Sequence, residues 1–406
     1  MSGTDLNEKD PGHADPGEKD LADTWFTDEQ RAFRRAVQDF FAADEVRKAI
    51  DALQDHAPRE ESGLIDVYRM LGERGWLAPA WPKEYGGQGL SPVEAGIVLE
   101  EMVLHGLPED QRVLSIDTVG QFLLEVGTPE QRARHLPRLA AGEEIATVLF
   151  TEPHCGSDLA ALRTRAVRDG DGWRLSGRKI FNQKSQFAEW ALCAARTDDG
   201  PVKYHGITLF LLPLRSPGVV ISPVWSMGDE RFNEIVIEDV RLTAEHIVGQ
   251  VHEGWQPIND MLLLERTGMD FQAKLRRWLD AVVEDARRTG RITEPAYAQR
   301  LVELDANLRA GRALAWSMVL AQVAGEPDPV ASAAAKWFIT QYSDEVVRLG
   351  SEVVGLDGLL STWDGEAPDL GRLEAVYRQS PAHTLASGTS EVMLQIIAAS
   401  GLHLFS

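Results

Sequence analysis

Cysteine is nearly absent from this chain: Cys155 and Cys193 are the only two in 406 residues. Two thiols build no disulfide framework, so a reducing compartment, the cytoplasm, is expected. Neither has to be catalytic. No CxxC or HExxH spacing occurs, and no metal site is expected. Long apolar runs are missing too, since no window reaches the roughly 18 consecutive apolar residues of a membrane helix. The first twenty residues hold no apolar core of the kind a secretory signal carries. Residues 1–24 are charged, contain Gly and Pro, and read as a disordered acidic tail. Basic residues are outnumbered, 41 Lys and Arg against 63 Asp and Glu, for a net charge of −22. That balance opposes nucleic acid and membrane as partners and otherwise serves solubility. A polyanionic ligand would need a local basic patch. What is present is an ordinary hydrophobic content, 44 %, in a chain long enough for two or three domains.

Three textures follow one another. From residue 25 to about 143 the pattern is helical. Thr27-Asp28-Glu29-Gln30 is a capping box, after which Phe33, Ala36, Val37, Phe40 and Phe41 repeat at helical spacing. Ser91-Pro92-Val93-Glu94 starts a second helix with the stripe Ala95, Val98, Leu99 and Met102, and Thr128-Pro129-Glu130-Gln131 starts another. The glycines of Trp81 to Gly89 suit an interhelical turn. From 144 to 251 strands are expected: Ile145 to Phe150, a hairpin at Asp169-Gly170-Asp171-Gly172, Trp190 to Ala195, Ile207 to Leu214, and Asn233 to Val240 with Ile235 and Ile237 inward. Helical periodicity returns over 252–406, broken near Gly290, at Gly325-Glu326-Pro327 and at Gly365-Glu366-Ala367-Pro368.

The run Phe150-Thr151-Glu152-Pro153-His154-Cys155-Gly156-Ser157-Asp158-Leu159 closes an apolar strand with a turn whose small residues let a backbone approach a flat ligand. Gly177-Arg178-Lys179-Ile180-Phe181-Asn182 follows about twenty residues later. Together they resemble the T-E-P-x-x-G-S-D and G-x-K-x-[WF] motifs of the acyl-CoA dehydrogenase family. Trp81-Pro82-Lys83-Glu84-Tyr85-Gly86-Gly87-Gln88-Gly89 is similar to that family's P-x-E-Y-G-G-x-G segment. The resemblance covers nearly the whole chain after residue 25. It implies a mostly α fold with an N-terminal helical domain, a middle β-barrel-like domain and a C-terminal four-helix bundle.

The resemblance also implies a chemistry, the α,β-dehydrogenation of an acyl thioester. Such a reaction needs a base for the weakly acidic α-proton, polarisation of the thioester oxygen, and a hydride acceptor over Cβ that no side chain provides. FAD is the implied cofactor, with flavin N5 taking the β-hydride. A ribityl hydroxyl and a backbone N–H would polarise the carbonyl. A carboxylate in a dry site suits the base, because burial raises its pKa toward working pH. Glu265 in Met261-Leu262-Leu263-Leu264-Glu265-Arg266 stands in an apolar run where a charge is unusual. The segment from Glu253-Gly254-Trp255 to Arg266 is similar to G-x-G-W … L-x-x-E-R of members whose catalytic Glu lies here. An exposed Glu beside Arg266, or a structural ion pair, is the alternative. Other members carry the base just before Gly-Thr-Ser, where this chain has Ser387, so Glu265 is preferred. By resemblance, FAD contacts fall to Phe150, Thr151, Gly156, Ser157, Phe181, Asn182, Gln183, Gly388, Thr389, Ser390 and Glu391, and substrate contacts to Ser157 and Arg266. Phe181 matches the aromatic that stacks on the flavin. Glu391 reads equally as an acidic residue in the first turn of a helix, which also suits a phosphate or flavin dipole.

Several positions depart from the family pattern. Gln183 replaces the Thr or Ser that donates to flavin N5. No R-x-x-F-G motif stands near residue 290. Ser351 to Gly358 replaces Q-x-x-G-G-x-G, and Leu263 replaces the Asp of D-x-x-R. With Phe232-Asn233-Glu234, these look like a divergent bacterial branch acting on steroid side chains, in heteromeric complexes, or on carrier-protein thioesters. The implied partners are an acyl-CoA or acyl carrier protein, an electron-transfer flavoprotein as oxidant, and copies of the chain in a homodimer or homotetramer, or a hetero-oligomer. Two alternatives stay open: a flavin oxidase or monooxygenase on the same fold, and a non-catalytic subunit of a heteromeric enzyme.

Overall fold

The computed structural model describes residues 24–55, 64–200, 202–265, 267–361, 364 and 371–404, without the side chains of 53–55, 64–65 and 263–265. The acidic tail, the side chain of Glu265, Leu263, Arg266 and the break at 365–368 lie outside the described residues.

The N-terminal third is helical: α1 (Asp28–Ala42), α2 (Asp44–Asp55), α3 (Leu64–Glu73), α4 (Pro92–Leu104), α5 (Asp110–Arg112), a π-helical stretch (Val113–Gly120), α6 (Gln121–Val126) and α7 (Pro129–Ala140). Thr27, Ser91 and Thr128 each form the full capping box, with the N3 side chain reaching back to the cap backbone. On α1, Val37, Phe40 and Phe41 are buried, while Ala36 is exposed. Helix α4 departs from a one-faced reading. It packs against α1, α9 and α10 at once, so Val93, Ile97 and Glu101 are buried beside Val98 and Met102. Its buried Glu100 is held by Arg312 (Nε–Oε1, 2.7 Å) and Gln272 (2.8 Å). Burial alone would raise that carboxyl; Arg312 and Arg34 outweigh it and hold it below its ordinary value.

Eight strands follow: β1 (Ala146–Leu149), β2 (Arg165–Asp169), β3 (Gly172–Asn182), β4 (Trp190–Arg196), β5 (Ile207–Pro213), β6 (Val219–Trp225), β7 (Arg231–Leu242) and β8 (Ile247–Val248). They make one sheet in the order β6-β7-β3-β2-β4-β5-β8, with β1 beside β4. The Asp169–Gly172 hairpin joins β2 to β3 in antiparallel register. Strand side chains alternate in direction, and β4 shows the consequence. Leu192 and Ala194 join the core shared with the helices, while Ala191, Cys193 and Ala195 join a second core with Trp173, Phe210, Ile235 and Ile237. β4, at the middle of the sheet, is thus buried on both faces. β6 adds a strand to those expected: its apolar residues Val219-Val220-Ile221 and Val224-Trp225 are interrupted by Ser222-Pro223, and it is only half-buried.

The chain ends in α8 (Trp255–Glu265), α9 (Met269–Arg288), α10 (Pro295–Ala324), α11 (Pro329–Gln341), α12 (Ser343–Val354), α13 (Arg372–Gln379) and α14 (Ser390–Ile396). Helices α9 to α12 pack on one another as a four-helix bundle. Gly290 and Gly325, both with positive φ, stand at the breaks after α9 and α10. No described helix is long and apolar enough to cross a membrane.

Candidate active site

Two motifs twenty residues apart become neighbours because β1 and β3 end side by side. The Ile180 N–H donates to the Thr151 carbonyl at 3.0 Å. Behind this contact runs Lys179, fully buried. Its Nζ donates to the Phe150 carbonyl at 3.1 Å and to Glu152 Oε1 at 2.8 Å. The Glu152 carboxylate also accepts from the backbone N–H groups of Arg163 (2.7 Å) and Thr164 (2.9 Å). Burial pushes Glu152 upward, but Lys179 and these donors outweigh it and hold the group below its ordinary value. A buried ion pair therefore locks the Thr-Glu-Pro turn to the Gly-Arg-Lys strand.

The outer side of that turn is open. Gly156 and Ser157 are exposed, and a Cβ added to Gly156 would meet nothing within 4 Å. His154, Cys155 and Glu152 bring donor atoms within 4.8 Å of one another. Glu152 is already engaged by Lys179 and two amides, and burial raises the Cys155 thiol, so this trio is poorly suited to a cation.

β3 ends in an unusual conformation. Phe181 and Lys184 have φ of 60° and 61°, a region non-glycine residues seldom adopt outside sites that over-determine it. Phe181 is 58 % exposed and touches Phe232 edge-on at 6.2 Å. A large aromatic held out into solvent by a strained backbone is a platform for a flat partner. Asn182 is buried and faces inward, donating to the Asn233 carbonyl at 2.9 Å and accepting from Ser185. Gln183 offers its carbonyl to Thr147 Oγ1 (2.7 Å) and donates Nε2 to Glu230 Oε1 (2.6 Å). One of its amide hydrogens is thus committed and one remains.

Glu230 closes the turn between β6 and β7, and that turn is fastened to the C-terminal helices. Gln379 Nε2 donates to the Gly228 carbonyl at 2.9 Å, and Arg378 pairs with Asp229 at 2.7 Å. The third predicted segment stands on the helices. Gly388 (φ 96°) gives its carbonyl to Lys336 Nζ at 2.8 Å. Thr389 caps α14 through the Val392 N–H, and Ser390 accepts from Gln341 at 3.0 Å. Glu391 is exposed in the first turn of α14. Its own backbone N–H and the Thr389 hydroxyl hold it below its ordinary value. The hydrogen bonds of Gly388 and Ser390 run to α11, whereas Phe150 to Gln183 are gathered on the sheet. Glu265 ends α8, which packs on the π-helical stretch.

Of the groups that hold these parts, Lys179 falls within the Gly-Arg-Lys motif, although its pairing with Glu152, 27 residues away, does not show there. Lys336 and Glu230 act through partners 52 and 47 residues away, and nothing local marks them.

Comparison with known proteins follows the same division. Residues 27–143 match the acyl-CoA dehydrogenase N-terminal domain, 147–240 its middle domain and 252–402 its C-terminal domain. Acyl-CoA dehydrogenase FadE26 of Mycobacterium tuberculosis is 32 % identical over 391 residues, covering 92 % of this chain and 96 % of that one. Among solved structures, the Tcur3481–Tcur3483 steroid ACAD superposes with a TM-score of 0.85 at 30 % identity, covering 93 % of this chain and 98 % of that chain. The ChsE4–ChsE5 complex from Mycobacterium tuberculosis gives 0.84 at 31 %, covering 94 % and 99 %. With three domain matches in order and full-length relatives above 30 % identity, the chain belongs to the acyl-CoA dehydrogenase family, oxidoreductases acting on CH–CH bonds.

Proposed function

We propose that this protein is an FAD-dependent dehydrogenase of an acyl thioester, with Glu265 removing the α-proton. The observation that carries the reading is Phe181, exposed and held at positive φ beside the open Thr151–Ser157 turn. When bound there, FAD supplies the hydride acceptor at N5. Phe181 offers the stacking face, Ser157 and the turn backbone offer donors, and the free amide hydrogen of Gln183 offers one more. Glu265 sits at the end of α8, whose neighbour, the π-helical stretch, also packs on β1. This supports a base near the flavin end of the sheet. Ser157 and Arg266 are proposed to meet the thioester, whether on CoA or on a carrier protein. Electron-transfer flavoprotein is the proposed oxidant, in the cytoplasm.

Gly388 to Glu391 hang on α11, so we propose that a second subunit brings them to the flavin in a homodimer or homotetramer. A heteromeric assembly is the second reading, favoured by a relative solved as the ChsE4–ChsE5 complex.

The test is Glu265→Gln. It preserves size, so flavin content and melting temperature should hold. Flavin reduction by an active acyl thioester should slow by at least about a hundredfold, the loss expected for a general base. Glu391→Gln should instead weaken flavin binding. Wild-type reduction in Glu265→Gln, with slow reduction in Glu391→Gln, would remove Glu265 from the mechanism.

A further inference from the structure

β4 ends where β2 begins. The two strands run parallel and pair only at Arg165 and Arg196, so the rest of β2 has β3 on one side and, among the described residues, no strand on the other. Beyond β4 the chain turns away, the Thr197 N–H donating to the Gly206 carbonyl at 2.7 Å. A cleft of about 560 Å³ opens there, between β2 and the segments that carry Thr197 and His252, with Trp173 of β3 in its wall. Trp173 stands eight residues before Phe181 on the same strand, which at about 3.3 Å per residue is roughly 26 Å from the flavin end.

Three groups on this cleft lack a partner. The Trp173 indole is 5 % exposed and has no acceptor for its Nε1–H, although a buried Trp N–H usually finds one. Arg168 lies over that ring, its guanidinium carbon 5.1 Å from the centroid, and has no carboxylate partner among the described residues. The His252 ring meets Trp173 at 82°, with centroids 6.5 Å apart. Its Nδ1 is engaged by Thr197 Oγ1 at 2.9 Å, which leaves Nε2. Arg165, by contrast, is paired with Asp199 at 2.6 Å.

His252 is also held against its backbone preference, at φ 70°. The G-x-G-W pattern has glycine at this place, and glycine takes such a φ freely. A histidine persists there only where its surroundings over-determine it. Its backbone N–H is fixed on Thr208 Oγ1 at 2.8 Å, and Thr208 meets Thr197 at 2.6 Å. A guanidinium, an indole N–H and an imidazole nitrogen thus meet at one opening, beside the apolar Ala166 and Val251. An oxyanion satisfies such a set. Asp198 also lines the cleft, and its carboxylate repels a dianion twice as strongly as a monoanion.

We propose that this cleft binds a small organic monocarboxylate. Arg168, His252 and the Trp173 N–H receive the carboxylate, and the apolar body lies along Ala166 and Val251.

The experiment titrates the flavin-loaded protein with 2-naphthoate, 2-naphthamide and inorganic phosphate in a calorimeter. The acid should bind at least about tenfold tighter than the amide, as hydrogen bonds to a charged group warrant, and phosphate should bind more weakly than the acid. Arg168→Gln should erase the preference for acid over amide. Trp173→Phe keeps a ring in the core but removes the donor, and should weaken 2-naphthoate by about tenfold. Arg168 is exposed, so its variant keeps the test open if Trp173→Phe does not fold. In a nitrogen-15 spectrum of the wild type, the indole N–H signal that Trp173→Phe lacks should move downfield as 2-naphthoate is added. Absence of binding, equal binding of acid and amide, a preference that survives Arg168→Gln, or phosphate bound as tightly as the acid overturns the assignment. So does an unmoved indole signal, or displacement of 2-naphthoate by CoA, which would put the acid in the thioester site.

Discussion

Replacing Lys179 by Met tests whether a buried ion pair holds the cofactor turn. Lys179 is fully buried and Glu152 is 3 % exposed, so neither charge has water to fall back on. The Met variant leaves Glu152 facing two backbone N–H groups and the His154 ring at 3.5 Å, without the buried ammonium. Breaking a buried pair from one side costs about 3–5 kcal/mol. Glu152→Gln should cost a similar amount, because it strands Lys179. The double variant removes both charges and should recover roughly 1–3 kcal/mol relative to the sum. Scanning calorimetry of the three variants gives this coupling. Amide exchange at Arg163 and Thr164 reports the loss locally, since both donate to the Glu152 carboxylate.

The pH dependence sharpens the test. In the native protein Glu152 lies below its ordinary value of 4.5. Its contribution is therefore present above pH 4.5 and is lost as pH falls through the lower folded value. Without Lys179 the burial effect is opposed by the backbone donors and by the His154 ring, 3.5 Å from Glu152 Oε2, and the folded value should move above 4.5. The contribution then changes sign and is lost as pH rises from 4.5 through the new value. Additive single-variant costs, or a Lys179→Met protein whose stability still climbs with pH in that window, would refute the idea that this pair fastens the turn.

Two further outcomes follow from the C-terminal helices. His383 is buried against Trp278, with ring centroids 5.0 Å apart, and burial with the nearby charges of Lys274 and Lys336 brings it down to about 3 from 6.5. The unfolded chain takes up its proton first, so stability falls as pH drops below 6.5, by about 2 kcal/mol at pH 5. His383→Phe should flatten that part of a melting-temperature profile, and an unchanged slope would clear His383 of the effect. Lys336→Met removes two donors, to the carbonyls of His383 and Gly388, at about 1.5–3 kcal/mol each. If Gly388 to Glu391 help hold the flavin, its dissociation constant should rise with Lys336→Met while the rate of the bound enzyme holds.

Much of the fold was legible because its signals are local. The capping boxes at Thr27, Ser91 and Thr128 need only four consecutive residues, and all three form. The Asp169–Gly172 hairpin is likewise written in its own turn. What escaped was set by neighbours. Ala36 matches the period of α1 yet stays exposed, because no element covers it. Glu100 reads as the polar face of α4 yet is buried, because Arg312 and Gln272 arrive from more than 170 residues away. β6 lies at the edge of the sheet, where a strand tolerates the Pro223 that breaks its apolar run.

The candidate site divides along the same line. Its motif residues could be found because a ligand-facing turn needs particular small and aromatic residues in a fixed order. The charges beside it could not. Glu109, Asp110, Lys184, Glu230, Asp270 and Lys274 come from four separate stretches, and each alone reads as an ordinary surface charge in a chain of net charge −22. Only the fold brings them to one end of the sheet, where Lys274 pairs with Glu109, Lys184 lies 3.7 Å from Asp110 and Glu230 accepts from Gln183. The shared motifs specify where a flavin and a base belong. The residues that surround them are recruited by tertiary structure, and no local run of this chain announces them.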